Sequence, residues 1–235
     1  MLDTLMLITL APILLWQGRR VRQRTLRLPE AVGERAGCQG QGQPLRVLLL
    51  GDSSAAGVGV SHQSNALVGQ LAEQLSGQYQ VTWQLLAQTG ITSAQLLSQL
   101  QATVPQTYDC AVLAIGVNDV TARTSDALWL AQLQTLRKTL NAEFNVQHMY
   151  ISAIPSMQYF SALPWPLRDY LGRRARRLNR LTAELAEHSS GLSFIPIGLA
   201  VNPQMLAADG FHPSAEAYTL WAEQIAALIK GTMFK

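Results

Sequence analysis

The chain has 235 residues, 48% of them apolar and 14% charged, a balance that excludes global disorder and leaves enough apolar side chains for a sizeable core. Its formal net charge of +3 is local: the first thirty residues hold five arginines against Asp3 and Glu30, and the remainder carries thirteen residues of each sign. A body without basic excess excludes a nucleic-acid binder as the first reading, and two distant cysteines, Cys38 and Cys110, make neither a disulfide framework nor a metal spacing.

The first element is "MLDTLMLITLAPILLWQGRRVRQR", an apolar run of about sixteen residues followed at once by arginines. A secretory leader carries its positive charge before the apolar run and a small-residue cleavage site after it, and this segment has neither. The run is short against the roughly 17–25 residues of a spanning helix, and Pro12 interrupts it. It reads as a tilted anchor or as an interfacial helix on anionic lipid, with residues 1–27 as the membrane contact. A hydrophobic helix docked on the domain is the plainer alternative. Either membrane reading puts the following domain on the cytoplasmic side. Residues 1–18 are thus an anchor segment, 19–44 a basic stretch and flexible linker, and 45–235 the folded domain.

From Leu45 onward strand-length apolar runs alternate with helix-period segments. "LRVLLLG" precedes "NALVGQLAEQL", and "YQVTWQLLA" precedes "SAQLLSQLQATV", where Leu96, Leu97, Leu100 and Val104 recur at helical spacing. "DCAVLAIG" leads to "DALWLAQLQTLRKTLNAEF", and "VQHMYISAI" to a helix over 167–188. "LSFIPIG" leads through a loop to "SAEAYTLWAEQIAALI", with Tyr218, Trp221, Ile225 and Leu228 in one stripe. Within 168–180, six arginines read as a solvated helix face or, more sharply, as a second contact with anionic lipid. "FSALPWPL" before that helix reads as a wall of an acyl pocket, a membrane contact or core.

Short continuous strands between amphipathic helices predict a parallel five-stranded sheet covered on both faces, a three-layer α/β/α sandwich. In such sheets functional groups collect beyond the carboxyl ends of the strands. Four loops there carry chemistry: Asp52, Ser53 and Ser54 after the first strand; Gly90 after the second; Asn118 and Asp119 after the third; Asp209 and His212 near the chain's end. A serine needs a base to take its proton, and that imidazole needs a carboxylate to fix its tautomer. Asp209 lies three residues before His212 with Gly210 between, so a tight turn joins them. The backbone N–H groups of Ser53 and Gly90 and the amide of Asn118 supply donors for an oxyanion. Taken singly, each residue is equally a cap or a turn. The set of four at four strand ends is what points to acyl transfer.

The blocks Gly51-Asp52-Ser53, Gly90, Gly116-Val117-Asn118-Asp119 and Asp209-Gly210-Phe211-His212, in that order, resemble those of the SGNH/GDSL hydrolases over roughly residues 45–230. The resemblance implies a flavodoxin-like sandwich with Ser53 as nucleophile, His212 as base and Asp209 as its orienter. It also implies an oxyanion hole of Ser53, Gly90 and Asn118, ester or lipid-like substrates, and no cofactor or metal. Ser54 replaces the leucine common in the first block, and no asparagine precedes Gly90 in "AQTG". Register with the family selects Ser53 over Ser54.

Other motifs fail. The P-loop, dinucleotide and Gly-x-Ser-x-Gly patterns each lack a required residue, and His62, His148 and His188 have no spaced companions for a metal. An acyltransferase using the same acyl-enzyme is the nearest rival, and a non-catalytic lipid- or glycan-binding scaffold the next.

Overall fold

A computed structural model describes residues 2–197 and 202–233, without the side chains of 2–9, 203 and 233. An N-terminal helix, α1 (Leu2–Arg24), precedes two strands, β1 (Ala36–Gln39) and β2 (Gln43–Gly51). Alternation then begins: α2 (Leu67–Ser76), β3 (Tyr79–Ala87), α3 (Ser93–Ala102), β4 (Cys110–Ala114), α4 (Val117–Ala122) and α5 (Asp126–Phe144). It continues with β5 (His148–Ser152), α6 (Leu167–Glu187), β6 (Leu192–Ile195) and α7 (Ala215–Met233). The strands lie in the order β1-β3-β2-β4-β5-β6, with every pairing parallel except β1 with β3.

Alternation along β2 shows why the sheet needs helices on both sides. Leu48 and Leu50 face a cluster with Leu113, Ile151, Trp129 and Leu178, under α1, α3, α5 and α6. Val47 and Leu49 face the opposite cluster with Leu67, Leu71, Tyr218 and Ile225, under α2 and α7. Successive strand residues point to opposite faces, so a strand apolar at every position is stable only as the middle layer.

Two expectations are corrected. The sheet has six strands and is mixed, not five-stranded and wholly parallel, because part of the stretch read as a flexible linker is β1. Ala36–Gln39 pairs with Gln84 to Val81 of β3, and Gly37 lets Trp83 lie against the backbone where a Cβ would come within 2.6 Å of the ring. Glu30 and Arg35 pin the approach: Arg35 donates to the Glu30 carboxylate at 2.5 Å and to the Ala87 carbonyl at 2.6 Å, and Glu30 accepts from the Thr89 N–H at 2.7 Å. The second correction is Val104, which is exposed beyond the end of α3. Pro105 follows it and disfavours helical geometry at the preceding residue.

α1 runs past the expected apolar segment to Arg24 and docks on the domain through buried Leu14 and Gln17. The Gln17 amide donates to the Trp165 carbonyl at 2.8 Å and accepts from the Leu167 N–H at 3.2 Å. Among the described residues no helix is long and apolar enough to cross a membrane. Three of the six arginines of α6 are bonded to other elements. Arg174 and Arg177 pair with Asp126 at 2.7 and 2.5 Å, Arg174 also donates to the Thr124 carbonyl, and Arg176 donates to Gln158 at 2.6 Å.

Candidate active site

β2 ends at Gly51, paired with Ala87 of β3 on one side and Ala114 of β4 on the other. A Cβ at Gly51 would meet the Ala114 carbonyl oxygen at 2.0 Å, so only glycine lets the strand leave the sheet here. The Asp52 N–H donates to that carbonyl at 3.0 Å, and the chain coils back on itself, Ala56 N–H to the Asp52 carbonyl at 2.9 Å and Val58 N–H to the Ser53 carbonyl at 3.0 Å. Ser53 is thereby held in a tight loop at the strand's carboxyl end.

The neighbouring hydroxyl is used differently. Asp52 Oδ1 accepts both the Ser54 N–H at 3.0 Å and the Ser54 hydroxyl at 2.8 Å. Asp52 Oδ2 is buried with no hydrogen-bond donor among the described residues. Burial pushes the Asp52 carboxyl up to about 6, against the pull of the two Ser54 hydrogen bonds.

The second half of the site is the loop before α7. It closes through the Ala207 N–H to the His212 carbonyl at 2.8 Å and the Ser214 N–H to the Met205 carbonyl at 2.9 Å. Gly210, at φ +66°, makes the turn that returns His212 over Asp209. Asp209 Oδ1 accepts the N–H groups of Phe211 and His212, both at 3.0 Å, and Oδ2 lies 2.6 Å from His212 Nδ1. His212 Nε2 lies 2.8 Å from Ser53 Oγ.

A carboxylate at Nδ1 fixes the proton there, so Nε2 presents its lone pair to the serine hydroxyl, which donates to it. The side chain of Asp209 is 1% exposed and that of His212 17%. Burial alone would raise the Asp209 carboxyl, but the hydrogen bonds from the His212 ring and backbone outweigh it and hold the carboxyl below its ordinary value.

Gly90 sits in the loop after β3 and Asn118 in the first turn of α4, which follows β4; β3 and β4 are the two strands that flank β2. Gly90 has φ +86° with open space where a Cβ would stand, so conformation and not crowding requires glycine. The Asn118 side chain donates to the Ile91 carbonyl at 3.0 Å, tying the start of α4 to the loop after β3. Asp119 is a buried support: it accepts from the Ser93 N–H at 3.0 Å, the Ser93 hydroxyl at 2.6 Å and the Thr124 hydroxyl at 3.1 Å. Burial raises its carboxyl in spite of these donors. The sequence-derived residues thus fall into two groups, the hydrogen-bonded Ser53–His212–Asp209 and, apart from it, Asn118 bonded to the loop that holds Gly90. Among the described residues no hydrogen bond joins the groups; the shared edge of β3, β2 and β4 brings them together.

A cleft opens beside Ser53 and His212, with Val117, Phe160, Leu206, Phe211 and Trp221 in its walls. The Phe160 ring packs on Phe211 at 4.7 Å, and Phe211 packs on the His212 ring at 5.3 Å. Of the "FSALPWPL" stretch, Phe160 lines the cleft, Leu163 is buried in the core and Trp165 is exposed. Trp221 reads in the sequence as part of a helix core stripe, and nothing in that spacing separates a core tryptophan from a cleft wall. Its indole N–H donates to Ser152 at 2.9 Å, which fixes the ring. Among the described residues no group of three or more His, Cys, Asp or Glu side chains is placed to hold a metal ion.

Comparison with known proteins gives the family. The family model of the GDSL-like lipase/acylhydrolase family matches residues 49–220. A GDSL-like esterase of Mycobacterium tuberculosis is 28% identical over 76% of this chain, which spans 60% of that relative's length. Among solved structures, TesA superposes with a TM-score of 0.64 at 23% identity, covering 79% of this chain and 98% of its own. A lipase/acylhydrolase of Enterococcus faecalis superposes with a TM-score of 0.58 at 22% identity, covering 80% and 96%. With the family model spanning most of the chain, from the buried end of β2 into α7, the chain belongs to the GDSL-like lipase/acylhydrolase family.

Proposed function

We propose that the chain hydrolyses carboxylic esters or thioesters through an acyl-enzyme on Ser53. The observation that carries this reading is the unbroken relay from Ser53 Oγ through His212 Nε2 at 2.8 Å and His212 Nδ1 to Asp209 at 2.6 Å. The Ser53 oxygen attacks the substrate carbonyl as its proton passes to His212, and the buried Asp209 carboxylate stabilises the imidazolium that forms. The tetrahedral oxyanion is met by the N–H groups of Ser53 and Gly90 and by the Asn118 amide, which keeps one N–H after donating the other to Ile91. His212 then returns the proton to the leaving alcohol or thiol. Water, deprotonated by the same imidazole, releases the acid and restores the hydroxyl. The apolar walls beside Ser53 support a hydrocarbon-rich acyl group or leaving group.

A series of p-nitrophenyl esters of increasing acyl length tests the proposal. The wild-type chain is expected to release p-nitrophenol and free acid, and Ser53→Ala to lose turnover to the level of the uncatalysed reaction. Ser54→Ala should retain most of it, since its hydroxyl is held by Asp52. Full activity in Ser53→Ala would overturn the assignment, and transfer of the acyl group to an added alcohol in place of hydrolysis would make the chain an acyltransferase.

A further inference from the structure

Away from the cleft, a groove runs between α1 and residues 162–164, lined on the helix side by Trp16, Arg20 and Arg24 and on the other by Leu26, Ala162 and Pro164. Residues 16, 20 and 24 recur every fourth position and share one flank of α1, with Ile13 one turn before. That flank adjoins the docked stripe of Leu14, Gln17 and Val21, so the helix is held by one face and offers the next. Trp16 is 57% and Trp165 65% exposed, and Ile13 and Leu26 are exposed as well. Gln17 holds the Trp165 carbonyl, which sets the second tryptophan beside the helix. The Arg20 guanidinium lies over the Trp16 ring at 5.0 Å.

The charges here differ from the Arg174–Arg177 pair of α6. There Arg174 and Arg177 are paired with Asp126. Among the described residues none of Arg19, Arg20, Arg22, Arg24 and Arg27 takes part in an ion pair. These five are also the source of the chain's entire positive excess. Unpaired guanidinium groups beside exposed tryptophans match the two layers of a lipid surface: anionic headgroups outside, and an amphipathic boundary where indole rings settle. Among the described residues the helix does not combine the length and apolarity needed to cross a bilayer, and its charged flank suits it to lie along one.

We propose that the face formed by Ile13, Trp16, Arg20 and Arg24 of α1 together with Leu26 and Trp165 docks the protein on an anionic lipid bilayer, with an acidic headgroup in the groove. The groove also reaches Ala208 and Asp209, so docking on this face brings the loop that carries His212 to the membrane side of the molecule. The test of this surface is independent of the esterase reading, whose own test uses soluble esters.

Flotation of the full chain with phosphatidylcholine vesicles, with and without phosphatidylglycerol, tests the proposal. The wild-type chain is expected to float with the phosphatidylglycerol vesicles, to float weakly with phosphatidylcholine alone, and to be released by high salt as screening shortens the reach of the arginines. Inorganic phosphate at matched ionic strength should release it no better than chloride. Arg20→Ser combined with Arg24→Ser should lower partitioning by roughly 30-fold, since each basic residue near an anionic surface contributes about 1 kcal/mol. Trp165→Ser, a single exposed position outside the helix, should weaken binding to both vesicle types, and circular dichroism melting reports whether each variant is folded. A wild-type chain that stays unbound, or folded variants that bind as the wild type does, would overturn the proposal. So would a dimer in sedimentation equilibrium that Trp16→Ser and Trp165→Ser both dissolve, which would assign the face to self-association.

Discussion

Ser53 and Ser54 carry the same functional group one residue apart, and their different environments decide which can react. Ser54 is bonded through both its N–H and its hydroxyl to one oxygen of a buried carboxylate, whereas the Ser53 hydroxyl points at an imidazole lone pair. Family register alone selects Ser53 in the sequence, and the hydrogen bonds supply the physical reason. Asn118 is the residue at which chemistry and stability separate most cleanly. Its bond to the Ile91 carbonyl holds a loop, and a bond of this kind contributes about 1 kcal/mol. On the proposed reading its remaining N–H acts when an oxyanion forms, and removing one such donor costs roughly 10²–10³ in turnover. Asn118→Ala is therefore expected to lower kcat about 10²-fold or more while KM and the melting temperature change little, as steady-state kinetics and calorimetry would show. A variant with wild-type kcat would remove Asn118 from the oxyanion hole. Polar site residues are legible because few residue types perform each role. Val117, Leu206 and Trp221 are not, since apolar side chains read alike whether they fill a core or face a cleft.

Helices and long strands are legible from periodicity, and their ends fall close to the expected limits. α5 matches its sequence stretch from Asp126 to Phe144, and β3 matches its own from Tyr79 to Ala87. β1 is not legible, because "AGCQ" has no alternating pattern, and an edge strand is defined by the backbone groups of its neighbour. The α6 arginines present the same difficulty at the level of charge. Their sequence spacing is compatible with a solvated or a lipid-facing surface, and only the placement of α5 reveals a third use. Asp126, in the first turn of α5, accepts from Arg174 and Arg177 and so joins the two helices. Burial works to raise its carboxyl, but the two guanidinium groups prevail and hold it below its ordinary value. Asp126→Ala leaves the half-buried Arg174 without its partner and removes a negative charge from a helix N-terminus. The expected loss is about 1–2 kcal/mol at neutral pH, between the values for exposed and buried pairs. That corresponds to a fall in melting temperature of roughly 2–8 °C for a chain of this size. The difference should shrink as pH falls through the lowered folded value, where the wild-type carboxyl also loses its charge. A variant that melts with the wild type at neutral pH would mean that the inter-helix pairs are energetically silent.

Over the whole molecule, the charge asymmetry between the first thirty residues and the rest is plain in the sequence, but the pH response of the fold is not, because burial sets it. Asp52, Asp119 and Asp209 all lie beneath one edge of the sheet and respond with opposite signs. Asp209 has a lowered folded value, so its contribution is present above the ordinary carboxyl range near 4 and is lost as pH falls through that lowered value. Asp52 and Asp119 have raised folded values, so the fold is favoured while they are protonated and loses stability as pH climbs from about 4 through the raised values. For Asp52, with its carboxyl at about 6, the wild-type fold should lose about 2 kcal/mol between pH 4.5 and 7.5. Asp52→Asn keeps an oxygen to accept from Ser54 and cannot ionise, so that portion of the pH dependence should vanish. Urea unfolding of both proteins at the two pH values measures the change. The variant is expected to gain about 2 kcal/mol on the wild type on going from pH 4.5 to 7.5, whatever fixed offset the new amide N–H groups impose. Asp119 remains in both proteins and its share cancels in the comparison. Two unfolding curves that shift in parallel with pH would show that Asp52 does not titrate in this window, and that the buried oxygen lacking a donor is neutralised by some other means.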